Sequence, residues 1–163
     1  MYQLGHYGIA LLVYVPVGAA LVSAGHVFAA YVGGAVMVGT AMLPDCDHSL
    51  PLVDHRGPTH SLPFALLVGG VFGVAGSAVA PVVDGTLGVD PAAFGFALGT
   101  LSVLMHLLGD VLTPMGIRPL WPLSRRSYSL NVTPAKNRAA NYGLFALGVF
   151  ATAVAVAGLG RAV

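Results

Sequence analysis

Long apolar runs dominate the chain and are separated by short polar stretches. Residues 7 to 42 contain no formally charged side chain. A helix that crosses the hydrocarbon core needs about 20 mainly apolar residues, and five stretches qualify. They cover residues 7–24, 27–43, 62–82, 92–112 and 139–159. No period-two alternation indicates a barrel, so we predict an all-α fold, a polytopic membrane helical bundle with about five transmembrane helices.

Composition agrees with a membrane protein. Of the 163 residues, 56% are hydrophobic and only 8% are charged, and glutamate is absent. A soluble domain carries about 25% charged residues. We expect a single integral-membrane domain, residues 1–163, with membrane lipid as its partner. No basic arm or patch indicates a nucleic-acid partner, and the sequence does not indicate an oligomeric state.

The basic residues predict the orientation in the membrane. Five of the seven lie between the fourth and fifth spans: Arg118, Arg125, Arg126, Lys136 and Arg138. Positively charged loops remain in the cytoplasm. We therefore expect an integral protein of the cell membrane whose N-terminus and site loops are cytoplasmic. Asp90 marks a turn on the opposite side, and Pro91 follows it at an expected first helical position.

The loop between the second and third predicted spans is rich in charged residues and histidines, which are rare within the spans. Residues 43–62, LPDCDHSLPLVDHRGPTHSL, hold three Asp, three His and one Arg. His6 lies just before the first predicted span. His106 and Asp110 lie near the end of the fourth span, four residues apart, so they project from one helix face. With this topology all these groups reach the same membrane face, and we expect them to converge at one cytoplasmic mouth.

A divalent metal suits this collection of side chains. Mixed His and Asp ligands favour zinc, with manganese and iron as alternatives, whereas an all-oxygen subset would suit magnesium. The candidate ligands are His6, Asp45, Asp47, His48, His55, His60, His106 and Asp110. They are too many for one tetrahedral site. Either more than one ion binds, up to three, or some of these residues orient the imidazoles.

Other residues in the loop have competing roles. The catalytic candidates are His55, Arg56 and His60: His55 as ligand or general base, Arg56 as phosphate binder and His60 as ligand. Thr59 and Ser61 are expected to cap the third helix. Asp54 is expected to face solvent or to pair with Arg56.

Three sequence blocks resemble a known family. They read LPDCDH, HRGPTHSL and HLLGDVLTPMGIRPLWPLSRRSYSL. Together with the N-terminal histidine and the number of apolar spans, they resemble the YdjM-like family, described as LexA-regulated, membrane-bound, predicted metal-dependent hydrolases. The resemblance covers effectively the whole chain. The family's block residues fall on Asp45, Asp47, His48, His55, Arg56, His60, His106 and Asp110, and His6 resembles its N-terminal histidine.

This resemblance implies a metal-dependent hydrolase within the membrane. The family is also similar to the helical zinc phospholipase C and nuclease group. By analogy, this similarity favours a phosphoester substrate, a phospholipid or a polyprenyl phosphate. A metal-activated water would cleave the ester bond. Two alternatives remain. His106 and Asp110 within a span also suit a divalent-metal transporter or sensor. The same spacing resembles one part of the signature of a metal-independent, phosphohistidine-type lipid phosphatase.

Overall fold

Helices make up the regular structure of the part of the chain that can be described. The computed structural model describes residues 1–49, 56–83 and 85–159. The long helices are Gln3–Ser23 (α1), Val27–Gly39 (α2), Leu62–Val83 (α3), Pro91–Val111 (α4) and Arg138–Leu159 (α5). Two 3₁₀ helices, Pro44–Ser49 and Pro58–His60, lie between α2 and α3. The predicted all-α fold is confirmed.

Among the described residues, five helical segments are long and apolar enough to cross a membrane, as the hydropathy pattern predicts. The second of these segments extends beyond α2 and covers Val27–His48. One boundary prediction was wrong: α1 begins at Gln3, so His6 lies inside the first span and not before it. The His6 side chain is only 1% exposed. Its ring packs inside the bundle, where a polar side chain avoids contact with lipid.

The starts of α3 and α4 follow from local sequence. Pro91 is the first residue of α4, as predicted, and the Asp90 carboxylate accepts a hydrogen bond from the backbone N–H of Ala93 at 2.6 Å. At α3, the Ser61 hydroxyl accepts from the N–H of Phe64 at 3.3 Å. These caps satisfy backbone donors that a helix start leaves free.

Small residues allow the helices to approach closely. A Cβ atom on Gly8 of α1 would collide with the backbone of Leu144 in α5. A Cβ atom on Gly95 of α4 would collide with the backbone of Phe72 in α3. Such contacts are typical of packing between membrane helices. The packing brings the start of α1, the end of α4 and both 3₁₀ helices to one end of the bundle, where the polar cluster lies.

Candidate metal centre

Four side chains from three elements meet in the polar cluster. Asp45 comes from the first 3₁₀ helix, and His60 ends the second. His106 and Asp110 are one turn apart on α4, so both face the same way. His60 Nε2 lies 3.3 Å from Asp45 Oδ1, 3.2 Å from Asp110 Oδ2 and 3.3 Å from His106 Nε2. These four residues form a group that could hold a metal ion.

Five of the six distances among the four atoms match those around a tetrahedral ion. His106 Nε2 lies 3.4 Å from Asp45 Oδ1 and 3.5 Å from Asp110 Oδ2. Ligand atoms about 2.0–2.1 Å from a tetrahedral zinc ion are about 3.3–3.4 Å apart. Asp110 Oδ2 is buried and accepts no hydrogen bond from the described residues. The distances and this orphaned oxygen both fit a bound divalent cation.

Hydrogen bonds fix the direction of both imidazoles. His106 Nδ1 lies 2.8 Å from the carbonyl oxygen of Ala41. A carbonyl only accepts, so Nδ1 carries the proton and Nε2 presents its lone pair to the cluster. His60 Nδ1 lies 2.9 Å from the Thr59 hydroxyl oxygen and 3.3 Å from Asp47 Oδ2. Partners of this kind commonly orient histidines that bind metals.

Thr59 therefore has a different role from the one predicted. Its hydroxyl donates to Asp47 Oδ2 at 2.7 Å and does not cap α3, a role that Ser61 fulfils. The second 3₁₀ helix turns Thr59 toward the buried carboxylate of Asp47. A sequence signal was available, because Thr59 directly precedes His60 in a loop rich in carboxylates.

Electrostatics within the cluster raise the pKa of the His60 imidazole. Burial alone would lower the pKa of His60, because it disfavours the charged form. The carboxylates of Asp110 and Asp45 beside the ring outweigh burial and hold the pKa above its ordinary value. A metal ion competes with a proton for this imidazole.

Arg56 and the chain's amino group hold the other oxygen of Asp110. Asp110 Oδ1 accepts from the amino group of Met1 at 2.6 Å and from Arg56 Nη2 at 2.7 Å. Arg56 Nη1 also donates to the Thr113 hydroxyl at 3.1 Å and to the Gly116 carbonyl at 3.0 Å. The guanidinium is thus buried among fixed partners. The sequence did not indicate these contacts with Met1, Thr113 and Gly116.

The backbone at Arg56 is strained. Its φ angle is +61°, in the left-handed region that non-glycine residues seldom occupy. Its N–H donates to Asp47 Oδ2 at 3.2 Å. Strain of this kind persists where surrounding contacts over-determine the conformation, and it is concentrated at functional sites.

The remaining candidate ligands lie around the four-atom group. The His6 ring stacks on His106, with centroids 3.9 Å apart, and neither of its nitrogens has a hydrogen-bond partner among the described residues. His6 Nε2 lies 3.6 Å from Asp110 Oδ1. Asp47 and His48 form a second possible metal-binding group with Asp45. The His48 side chain is 58% exposed. His55 and Asp54 lie outside the described residues.

A comparison with protein families identifies the relatives of this chain. The model of the family described as YdjM inner membrane protein matches residues 1–162. The chain belongs to this family. The YdjM description agrees with the five apolar spans and confirms the resemblance seen in the three sequence blocks. No curated protein and no solved structure matches the chain.

Proposed function

We propose that this YdjM family member is a membrane-embedded metal-dependent hydrolase that cleaves a phosphoester of a lipid or polyprenyl phosphate. The observation that carries the proposal is the close spacing of four His and Asp ligand atoms, three of them on buried side chains and the fourth on the partly exposed Asp45. Structural zinc sites are dominated by cysteine, whereas catalytic sites commonly combine histidine with a carboxylate. A divalent ion in such a site supplies Lewis acidity, which activates water and polarises a phosphoryl group.

The four ligands differ in exposure, and this difference suggests their roles. The side chains of His60, His106 and Asp110 are at most 1% exposed, whereas that of Asp45 is 16% exposed. Catalytic zinc sites use three protein ligands and keep the fourth position for water or substrate. In our proposal the three buried side chains would hold the metal. Asp45, the more exposed ligand, would hold the fourth position, which catalytic sites keep for water or substrate.

The residues around the ligands maintain this arrangement. Ala41 and Asp47 orient the two imidazoles through their Nδ1 atoms. Arg56 holds Asp110 in place through Oδ1 and leaves Oδ2 for the metal. A direct contact between Arg56 and a substrate phosphate stays a prediction, as does the role of His55 as ligand or general base.

The place of the site in the bundle supports a lipid substrate. The ligands lie near one end of the helices that are long and apolar enough to span a membrane, and in our proposal this end faces the lipid phosphates. The segment between α4 and α5 at this end carries Arg118, Arg125, Arg126 and Lys136. This excess of basic residues supports a cytoplasmic orientation.

A second candidate function rests on the completeness of the ligand set. Closed sites with four protein ligands usually hold a metal without turnover. The same four atoms would therefore also suit a divalent-metal sensor or transporter. The two functions differ in whether a lipid phosphoester is hydrolysed, which a single set of variants can test.

The experiment measures metal and hydrolysis on the same purified protein. The full chain is solubilised in detergent, and bound zinc, manganese, iron and magnesium are measured by elemental mass spectrometry. The variants are His106→Ala, which removes a ligand, and His26→Ala as a matched control, because His26 lies at the turn between α1 and α2 at the opposite end. Hydrolysis is then followed as inorganic phosphate released from polyprenyl phosphates and as the alcohol and phosphomonoester products released from phospholipids.

The outcomes separate the candidates. Metal that is lost in His106→Ala but kept in His26→Ala, together with hydrolysis lost in the same way, supports the hydrolase. Bound metal without hydrolysis of any lipid favours the sensor or transporter. Wild-type protein that binds no divalent metal contradicts both.

A further inference from the structure

The segment between α4 and α5, residues 112–137 (the basic loop), is folded against the ends of spanning helices. Ile117 and Tyr128 pair as an isolated antiparallel bridge through two backbone hydrogen bonds of 2.9 Å. The N–H of Leu62, the first residue of α3, donates to the Pro119 carbonyl at 2.8 Å. The basic loop begins and ends at a membrane span, and this bond ties it to a third. It therefore lies at the membrane surface.

The basic loop leaves large apolar side chains uncovered. Leu123 is 90% exposed, Val132 is 67% exposed, and Leu130 and Met115 are each 65% exposed. The N–H groups of Leu130 and Val132 donate to the carbonyls of Val111 and Leu112 at 2.7 and 2.8 Å, which holds this part of the loop against the end of α4. Large apolar side chains that are this exposed beside charged residues indicate a surface that contacts a partner or a membrane.

The charge on the basic loop is all of one sign. It contains Arg118, Arg125, Arg126 and Lys136, and the last acidic residue of the chain is Asp110. Arginine is costly in hydrocarbon, and a fully exposed leucine is unfavourable in water. The headgroup region accommodates both kinds of side chain, and anionic lipids attract the basic ones.

We infer that the basic loop is a binding surface for the anionic phospholipid headgroups of the membrane that the chain spans. Its arginines face the lipid phosphates, and its exposed apolar side chains enter the boundary between headgroups and acyl chains. Charge complementarity and the attachment of the loop to three span ends carry this assignment. It does not depend on the metal centre or on the proposed hydrolysis.

The chain carries its own reporter for a test. Trp121 is the only tryptophan, and it lies within the basic loop between the exposed side chains of Leu120 and Leu123. The full chain is reconstituted into phosphatidylcholine vesicles with and without phosphatidylglycerol. Quenching of Trp121 fluorescence by lipids brominated near the carbonyl end of the acyl chain reports contact with the interface.

The expected result is stronger quenching in vesicles that contain phosphatidylglycerol, with the increase lost at high salt because salt screens exposed charges. An Arg125→Gln, Arg126→Gln double variant should lose the increase. The matched Arg125→Lys, Arg126→Lys variant keeps both charges and should retain it. Circular dichroism checks that each variant keeps its helices.

Three results would overturn the inference. The first is quenching that is equally weak in both kinds of vesicle. The second is an increase with phosphatidylglycerol that survives in the double glutamine variant. The third is weak quenching together with cross-linking of the basic loop to a second copy of the chain, which would assign the surface to a protein contact.

Discussion

Replacing Asp47 with asparagine tests how the candidate metal centre is organised. Asp47 Oδ2 accepts from the Thr59 hydroxyl and the Arg56 N–H and lies 3.3 Å from His60 Nδ1. Asparagine keeps the shape of the side chain but loses its charge and one acceptor oxygen. In Asp47→Asn, His60 loses the carboxylate that fixes its Nδ1–H tautomer. The four atoms of the tetrahedral group remain.

The expected magnitude follows from this indirect role. Losing a partner that orients a metal-binding histidine lowers metal affinity about 10- to 100-fold, which is about 1.4–2.8 kcal/mol of binding free energy. Removal of a ligand itself, as in His106→Ala, should lower the affinity further, because only three of the four atoms remain. The variants should therefore rank as wild type, Asp47→Asn and His106→Ala, in order of decreasing zinc affinity.

Chelator competition measures this order. Metal-free protein in detergent is titrated with zinc in the presence of a chromophoric chelator, and the dissociation constant is fitted for each variant. His26→Ala at the opposite end of the bundle serves as a control and should bind as the wild type does. An Asp47→Asn affinity equal to that of the wild type would refute the orienting role. A loss as large as in His106→Ala would show that Asp47 is itself a ligand.

Three other changes test separate parts of the structure. Asp45→Ala should keep bound zinc with reduced affinity, because three buried ligands remain, and elemental mass spectrometry would contradict this by finding none. The zinc affinity of the wild type should fall as the pH is lowered from about 8 to about 6. The reason is that the pKa of His60 is raised, so a proton competes with the metal for this imidazole. An affinity that chelator competition finds unchanged over this range would contradict the prediction. Gly8→Ala should destabilise the protein by about 1–3 kcal/mol, because the added methyl group clashes with the backbone of Leu144. The added methyl group of Gly70→Ala meets open space, so this variant should be neutral or stabilising. Thermal unfolding measures both, and equal effects would contradict the close contact at Gly8.

The sequence predicted the helices well because lipid constrains them strongly. A span must be long and apolar whatever it packs against, so uncharged runs mark its position. The prediction placed His6 outside the first helix because it treated a polar ring as a boundary. In the structure, His6 is buried against His106 inside the bundle. A single chain does not reveal which face of a helix meets lipid and which meets protein, and this is where the prediction was wrong.

Part of the polar cluster was also readable from the sequence, but the roles within it were not. The four-residue spacing of His106 and Asp110 predicts a shared helix face, and they share one. Asp45 and Asp47 are only two positions apart in the sequence. Asp45 nevertheless belongs to the four-atom group, whereas Asp47 contacts the Nδ1 atom of His60, on the side of the ring away from that group. That difference depends on the local path of a 3₁₀ helix. Residue type and spacing do not determine this path.

Asp110 shows why the cluster could hold a cation. Its Oδ1 is satisfied by Arg56 and by the amino group of Met1. Its Oδ2 is equally buried but accepts no hydrogen bond from any part of the chain that the structure describes. Burying a carboxylate oxygen without a partner is costly, and two imidazole nitrogens and Asp45 Oδ1 point toward the same space. A divalent ion at this point would satisfy all four atoms at once, while Arg56 and Met1 keep Asp110 in position to bind it.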